Sequence, residues 1–298
     1  MKRRNCAPNT VKNYLNMIKH FVIWVDVPME EVTYATVSRY IDYLMKKRRA
    51  PKTINCHLDG IRQFYHYLKE EEGMAIINPI RKNHMQKMSR PLPRHLRDEQ
   101  AKKFLGAVNG LRDRAMFMLM LRCGLRVEEV ANLAIGAIDV NRRTILVEDG
   151  KGAKDRIVYM SNDALHALAA YLRVRPASRA RKIFLVEKGT CRGQPISIRG
   201  IQKRMEYYAR KAKVRVSCHQ LRHTMATQML NADADLSTIQ DLLGHSSVKT
   251  TQRYCRISNL KVQRDYYKAM EVIRQHWGGS PDNRVGSDQL VCNQEDHL

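Results

Sequence analysis

The chain has 298 residues, which is long enough for two ordinary domains that each bury a core of their own. Its 53 Lys and Arg exceed its 29 Asp and Glu, so the net charge is +24, and a polyanion is the expected partner. No apolar run approaches the roughly 20 residues that span a bilayer, and no signal-like stretch follows Met1, so we expect a cytoplasmic protein without membrane contact.

The first part of the chain predicts a small helical bundle. Apolar side chains recur at helical spacing over residues 10–25, 37–44 and 54–68, and Pro51 separates the last two segments as a helix breaker. We therefore predict an N-terminal helical domain at residues 1–85. The periodicity then lapses, and a basic, proline-containing linker is predicted at residues 86–97.

A mixed domain is predicted at residues 98–277. Two strand-like runs, 143–147 and 156–160, flank a glycine-rich turn and predict a β-hairpin. Further helices are predicted after Ser161, after Ser197, over 219–231 and over 237–243, the last ending at Gly244, and an amphipathic stretch covers 260–277. The fold class is thus mainly α with a small antiparallel β-sheet, and residues 278–298 are predicted to form a flexible tail.

Six polar side chains stand out in the second domain. They are, in chain order, Arg126, Lys151, His219, Arg222, His245 and Tyr254. Each of them alone has an ordinary explanation, such as a surface charge, a hairpin tip or a helix edge. Their order is more informative, because 23 positions separate Arg222 from His245 and nine separate His245 from Tyr254.

This order resembles the active-site signature of the tyrosine recombinases, the family of phage integrases and Xer recombinases. Residues 112–115 (Arg-Asp-Arg-Ala), 123–126 (Cys-Gly-Leu-Arg) and 242–245 (Leu-Leu-Gly-His) resemble the family's stretches around its first arginine and second histidine. The resemblance runs from the helical bundle to Trp277. It implies a two-domain DNA clamp, with a core-binding domain followed by a catalytic domain of the tyrosine-recombinase type.

Phosphodiester cleavage explains why cationic side chains are needed. Charge accumulates on the non-bridging oxygens in the transition state, and Arg126 and Arg222 fit the task because a guanidinium stays charged and can bind two oxygens. The resemblance implies His245 as a further donor. It also implies that His219 exchanges a proton with the nucleophile or holds it in place. Glu129, three residues after Arg126, is expected to orient the cluster.

The resemblance further assigns the nucleophile and the general acid. Tyr254 would attack the phosphate and form a 3′-phosphotyrosine, and nearby cations would ease its deprotonation. The free 5′-hydroxyl would take its proton from Lys151. Lys154 and Arg156 stand close by in the sequence, but the family pattern aligns its lysine with Lys151.

We predict neither a cofactor nor a metal. The covalent intermediate conserves the energy of the cut bond, and the sequence contains no G-x-x-x-x-G-K-S/T loop. His219 and His223 stand four apart like a zinc pair, but the Glu of H-E-x-x-H is missing and Arg222 lies between them. The seven cysteines occur singly, which argues against disulfides and a zinc site.

The expected function is site-specific recombination of double-stranded DNA, as integration, excision, inversion or resolution. Two alternatives remain open, a type IB topoisomerase with similar chemistry and a DNA-binding regulator that no longer cleaves.

The expected partners are a specific DNA site, further copies of the chain in a tetramer on DNA, and an accessory DNA-bending protein. Residues 260–277 either dock on a neighbouring protomer, as the resemblance implies, or pack on their own domain.

Overall fold

The computed structural model describes residues 8–88, 94–148, 155–244, 251 and 266–273. The chain divides into two compact units, and the division falls between Pro91 and Leu92. Each unit has its own apolar core. The linker predicted at residues 86–97 stays a prediction, because part of it lies outside the described residues.

Within the described residues the first unit contains three helices, α1 (Pro8–Val25), α2 (Tyr34–Lys46) and α3 (Pro51–Glu70). A 3-10 turn at Met29–Glu31 lies between α1 and α2, and a second 3-10 turn at Lys82–His84 follows α3. Pro51 separates α2 from α3 as predicted, and it is the first residue of α3. Proline is tolerated there because an N–H at this position would form no hydrogen bond within the helix. The three predicted helical segments are confirmed.

A polar chain crosses the core of the first unit. The Tyr40 hydroxyl lies 2.9 Å from Nδ1 of His20 and 2.9 Å from Nδ1 of His57. Burial, followed by the charges of His20 and Arg49, lowers the pKa of His57 to about 4. His57 is therefore neutral at physiological pH and joins α3 to α2 by a hydrogen bond without a buried charge.

The second unit contains seven helices that have named bounds within the described residues. They are α4 (Asp98–Ala107), α5 (Leu111–Arg122), α6 (Val127–Asn132), α7 (Asn162–Val174), α8 (Ile198–Ala212), α9 (Cys218–Asn231) and α10 (Leu236–Leu243). Helix α5 is the central one, because residues 115–121 are all buried and the helix packs against α7 and α9. Residues 266–273 are also helical. No described helix is long and apolar enough to cross a bilayer.

The predicted helix boundaries in this unit are confirmed where the structure describes them. Ser161 and Ser197 are the N-caps of α7 and α8, and the Ser197 side chain accepts a hydrogen bond from Gly200 N. Gly244 ends α10 in the left-handed conformation. The tail predicted at residues 278–298 lies outside the described residues.

The sheet has three antiparallel strands in the order β1 (Ile138–Asp139), β2 (Thr144–Val147) and β3 (Arg156–Tyr159). Strands β2 and β3 are the predicted pair. The sequence does not predict strand β1, because two residues are too few for an alternating pattern. Strand β3 packs against α10, and α10 packs against α9, so the sheet and the two helices meet at the end of α10.

Candidate active site

A tight turn after α5 brings the first candidate arginine to the end of α10. Gly124 in this turn has φ +66°, and a Cβ there would lie 3.1 Å from Leu243 Cδ2 and 3.2 Å from Met225 Sδ. Only glycine combines this backbone conformation with so close an approach. The turn therefore packs directly on α9 and α10, and Arg126, the N-cap of α6, follows two residues later.

Arg126 and Glu129 bind each other at the start of α6. The Arg126 backbone N–H donates to Glu129 Oε2 at 2.7 Å, and Arg126 Nη1 donates to Glu129 Oε1 at 2.7 Å. Arg126 Nη2 also donates to the carbonyl of Gly244 at 3.2 Å. The Arg126 side chain remains 21% exposed. Arg126 is thus held on two sides and still reaches solvent.

Arg222 lies deeper, on α9, and is only 2% exposed. Its Nη1 donates to the carbonyl of Gly124 and its Nη2 to the carbonyl of Leu243. A buried guanidinium needs such acceptors, because an unsatisfied buried charge is costly. The structure therefore brings Arg126 and Arg222 together, on the neighbouring carbonyls of Gly244 and Leu243.

Arg156 completes this cluster, although the sequence indicates it only as a competitor of Lys151. Its Nε donates to the carbonyl of Leu242 at 2.9 Å, and its two Nη atoms donate to the two carboxylate oxygens of Glu129 at 2.8 Å each. The sequence feature that could have indicated a buried role for Arg156 is its alternation with Val158 in β3, because the two residues share the inward face. Exposed Ile157 and Tyr159 conceal that signal, since both faces of the strand contain apolar residues.

Three arginines from three different segments thus bind three successive carbonyls at the end of α10. Arg156 binds Leu242, Arg222 binds Leu243, and Arg126 binds Gly244. The last carbonyls of a helix have no helical donors, and they carry the negative end of the helix dipole. The end of α10 is therefore both satisfied and electrostatically stabilised by these cations.

Glu129 is the acidic centre of the cluster. Burial has the largest effect on it and opposes ionisation, but hydrogen bonds from Arg156, from the Arg126 backbone and from the Arg126 side chain, together with the charge of Arg156, outweigh burial. The pKa of Glu129 consequently falls from 4.5 to about 2. At neutral pH this carboxylate is ionised and balances part of the positive charge.

His219 lies in the first turn of α9, one turn before Arg222, and is exposed. Its ring meets the ring of His223 edge-on, with the centroids 4.2 Å apart. Its position at a helix N-terminus favours a nearby anion, because the helix dipole is positive there.

The remaining three candidates, Lys151, His245 and Tyr254, lie outside the described residues. The structure therefore gathers Arg126, Glu129 and Arg222 at one place and puts His219 one helical turn away. The roles predicted for all seven residues stay predictions. Within the described part of the chain, no three His, Cys, Asp or Glu side chains are arranged to hold a metal ion.

A basic groove with a volume of about 800 Å³ lies where α8 leads into α9. Its lining includes four cationic side chains and one acidic one, and Gln220, the residue after His219, lines it too. These charged side chains are Arg94, Arg210, Lys213, Arg215 and Glu206. The groove therefore forms a positively charged surface at the start of α9.

A second buried ion cluster joins α5 to α8. Asp113 is 1% exposed, and its Oδ1 accepts hydrogen bonds from Arg112 Nε at 3.0 Å and Nη2 at 2.8 Å. Its Oδ2 accepts a hydrogen bond from Arg204 Nε at 2.7 Å. These contacts explain the 112–115 stretch as part of the scaffold that holds α5, the helix that ends just before the Gly124 turn.

Comparisons with known proteins agree with the geometry. The model of the phage integrase family matches residues 94–260, and the model of the phage integrase N-terminal SAM-like domain matches residues 1–73. The tyrosine recombinase XerC of Pelotomaculum thermopropionicum is 32% identical over 287 residues, which cover 89% of this chain and 93% of that protein.

Two solved structures have the same fold. The XerH site-specific recombinase bound to a palindromic difH substrate, in its post-cleavage complex, aligns with a TM-score of 0.73 and 21% identity, covering 88% of this chain and 80% of that one. A lambda integrase dimer bound to a core site aligns with a TM-score of 0.68 and 16% identity, covering 84% and 89%.

Proposed function

This chain belongs to the phage integrase family and is a tyrosine recombinase that cuts and rejoins DNA, and from this premise we propose that Tyr254 is its nucleophile. In this proposal Tyr254 attacks a backbone phosphate and holds the 3′ end as a phosphotyrosine. The supporting observation is the convergence of Arg126 and Arg222 on neighbouring carbonyls of Gly244 and Leu243. Tyr254 follows Gly244 by ten residues in the sequence.

In the reaction, a bond forms between the Tyr254 oxygen and phosphorus while the bond from phosphorus to the 5′ oxygen breaks. Arg126 binds the non-bridging oxygens, because it is partly exposed and held by Glu129 and Gly244. Arg222 adds a fixed charge in a buried region, where electrostatic interactions are stronger. His245 is a further donor to the phosphate.

Two proton transfers accompany this exchange. The Tyr254 hydroxyl loses its proton, with His219 accepting it or holding the hydroxyl in place, and Lys151 donates a proton to the departing 5′ oxygen. Rejoining reverses these steps, with a 5′-hydroxyl attacking the phosphotyrosine. The phosphotyrosine keeps the energy of the cut linkage, so neither ATP nor another cofactor takes part.

The DNA partner is a duplex with a specific site. The net charge of +24 and the basic groove near α9 support phosphate contacts beside the cleavage site. In the proposed organisation residues 1–85 bind the DNA core, residues 86–97 link the domains, and residues 98–277 carry the chemistry. The protein then acts in the cytoplasm, on the nucleoid.

A tetramer of this chain on DNA is the proposed assembly. Residues 266–273 are helical and all exposed, with Tyr266 and Tyr267 58% and 62% exposed, so an apolar surface is available to a neighbouring protomer. An accessory DNA-bending protein is a further proposed partner, and it rests on the family resemblance.

The decisive experiment traps the covalent intermediate. A duplex selected from a random-sequence pool by binding to the protein is nicked near the cleavage point, so that the cut strand cannot be rejoined. Wild type and Tyr159→Phe, a control at an exposed tyrosine, are expected to give a covalent protein–DNA adduct on a denaturing gel. Tyr254→Phe is expected to give none.

Other outcomes would redirect the proposal. An adduct that survives Tyr254→Phe would place the nucleophile elsewhere. Relaxation of plasmid that lacks the selected site, without recombinant product, would support the topoisomerase alternative. Site-dependent binding by wild type with no adduct would support the regulator alternative.

A further inference from the structure

Arg156 connects three elements of the second unit. Its side chain starts from β3 and is 8% exposed. It donates to the carbonyl of Leu242 on α10 and, with both Nη atoms, to the two carboxylate oxygens of Glu129 on α6. This bidentate contact fixes the orientation of the Glu129 carboxylate as well as its distance from Arg156, because the planar guanidinium matches the planar carboxylate.

Glu129 in turn depends on Arg156 for its orientation. Its two oxygens receive four donors, namely both Nη atoms of Arg156, the backbone N–H of Arg126 and Arg126 Nη1. An ionised carboxylate offers about four lone-pair positions, so all of them are occupied. Rotation of Glu129 would break hydrogen bonds to both arginines. The guanidinium of Arg126 would then lose the carboxylate that orients it.

Gly244 provides a second, independent link. A Cβ at this position would lie 2.9 Å from Arg156 Cδ and 3.3 Å from its Nε and Nη1. The Arg156 side chain therefore passes directly over the peptide backbone at the end of α10. The carbonyl of that same residue, Gly244, accepts the hydrogen bond from Arg126 Nη2.

We propose that Arg156 is a positioning residue for DNA cleavage, which holds Glu129 and the end of α10 so that Arg126 keeps the orientation that binds the scissile phosphate. The proposal rests on the proposed function of Arg126. Arg156 acts through Glu129 and Gly244, since its own side chain is buried and engaged with them.

The test is a double-mutant cycle on cleavage. Single-turnover cleavage of the nicked duplex at saturating protein, and the Kd for the same DNA, are measured for wild type, Arg156→Gln, Glu129→Gln and the double variant. Each single change should slow cleavage on the order of 10- to 100-fold, with a Kd within about threefold of wild type. The double variant should be about as slow as the slower single variant, because both changes interrupt one path.

Arg175 offers a matched control for a purely structural loss. It is a partly buried arginine of the same unit, and its guanidinium donates to the carbonyls of Ile183, Ala180 and Lys182. Arg175→Gln removes a comparable set of hydrogen bonds away from Glu129. It should lower the melting temperature yet keep the cleavage rate within about twofold of wild type, measured where all variants are folded.

Several results would overturn the proposal. These are wild-type cleavage by folded Arg156→Gln, equal slowing by Arg156→Gln and Arg175→Gln, or multiplicative slowing in the double variant. Should Arg156→Gln fail to fold, the cycle is repeated with Arg156→Lys, which keeps the charge but cannot bind both carboxylate oxygens and Leu242 together. Absence of any adduct with wild type would instead contradict the proposed function.

Discussion

At the residue scale, the two arginines that converge at the end of α10 have different environments. Arg126 is 21% exposed and Arg222 is 2% exposed. We predict that alanine at either position slows cleavage on the order of 100-fold, because each removes a fixed cation from the transition state. Single-turnover rates on the nicked duplex measure this effect.

Stability should separate the same two variants. Arg222→Ala leaves the carbonyls of Gly124 and Leu243 without these donors, at a cost of about 1–3 kcal/mol for each buried group, whereas Arg126→Ala should cost about 1 kcal/mol. Urea denaturation gives both values. Equal stability losses would contradict the burial difference, and wild-type cleavage rates would contradict the catalytic roles.

The pH dependence of stability tests the Glu129 carboxylate. Its pKa is about 2 in the folded chain and near 4.5 when the chain is unfolded, so its contribution is complete above pH 4.5 and is lost as the pH falls toward 2. The free energy of unfolding of wild type should exceed that of Glu129→Gln by a constant amount from pH 5 to 8. The excess should shrink by about 3 kcal/mol between pH 4.5 and 2. An excess that stays constant across this acid window would show that the folded structure does not lower the pKa of Glu129.

At the element scale, the end of α10 requires glycine for two reasons. Gly244 has φ +57°, and a Cβ would also collide with Arg156. Gly189 isolates the first reason, because its φ is +79° and no atom lies within 4 Å of its Cβ position.

We predict that Gly189→Ala costs about 1–2 kcal/mol of stability for the left-handed backbone alone. Gly244→Ala should cost more, because Arg156 must shift away from Glu129 as well. Chemical denaturation measures the difference, and cleavage should fall only in Gly244→Ala. If both variants cleave normally and lose the same stability, the close approach of Arg156 to Gly244 does not contribute to cleavage.

At the scale of the whole molecule, the basic groove should govern affinity for DNA of any sequence. Arg210→Gln combined with Arg215→Gln removes two cations from its lining. The slope of log K against log salt should become shallower by about 0.9 for each phosphate that the protein no longer neutralises, with little change in preference among DNA sequences. Arg142→Gln, whose side chain is 84% exposed outside the groove lining, is the control and should keep the slope. An unchanged slope in the double variant would remove the groove from the DNA interface.

Prediction from sequence succeeds where a pattern is local. The helices of the first unit follow from apolar residues at helical spacing, and the end of α10 follows from Gly244, which tolerates the left-handed conformation. The sequence does not predict strand β1, because two residues are too few to show the alternating pattern of a strand. The sequence does not assign Arg156 to the cluster because its partner Glu129 lies 27 positions away, and no local pattern reports such a contact.

The sequence by itself determined the kinds of side chain available, the order in which they occur and the helices that carry them, since these depend on composition and short-range periodicity. Only the tertiary structure decided that Arg156, Arg222 and Arg126 bind the carbonyls of Leu242, Leu243 and Gly244 in succession. The physical reason is that those carbonyls lack helical donors, and the packing of β3, α9 and the Gly124 turn around α10 determines which cations reach them.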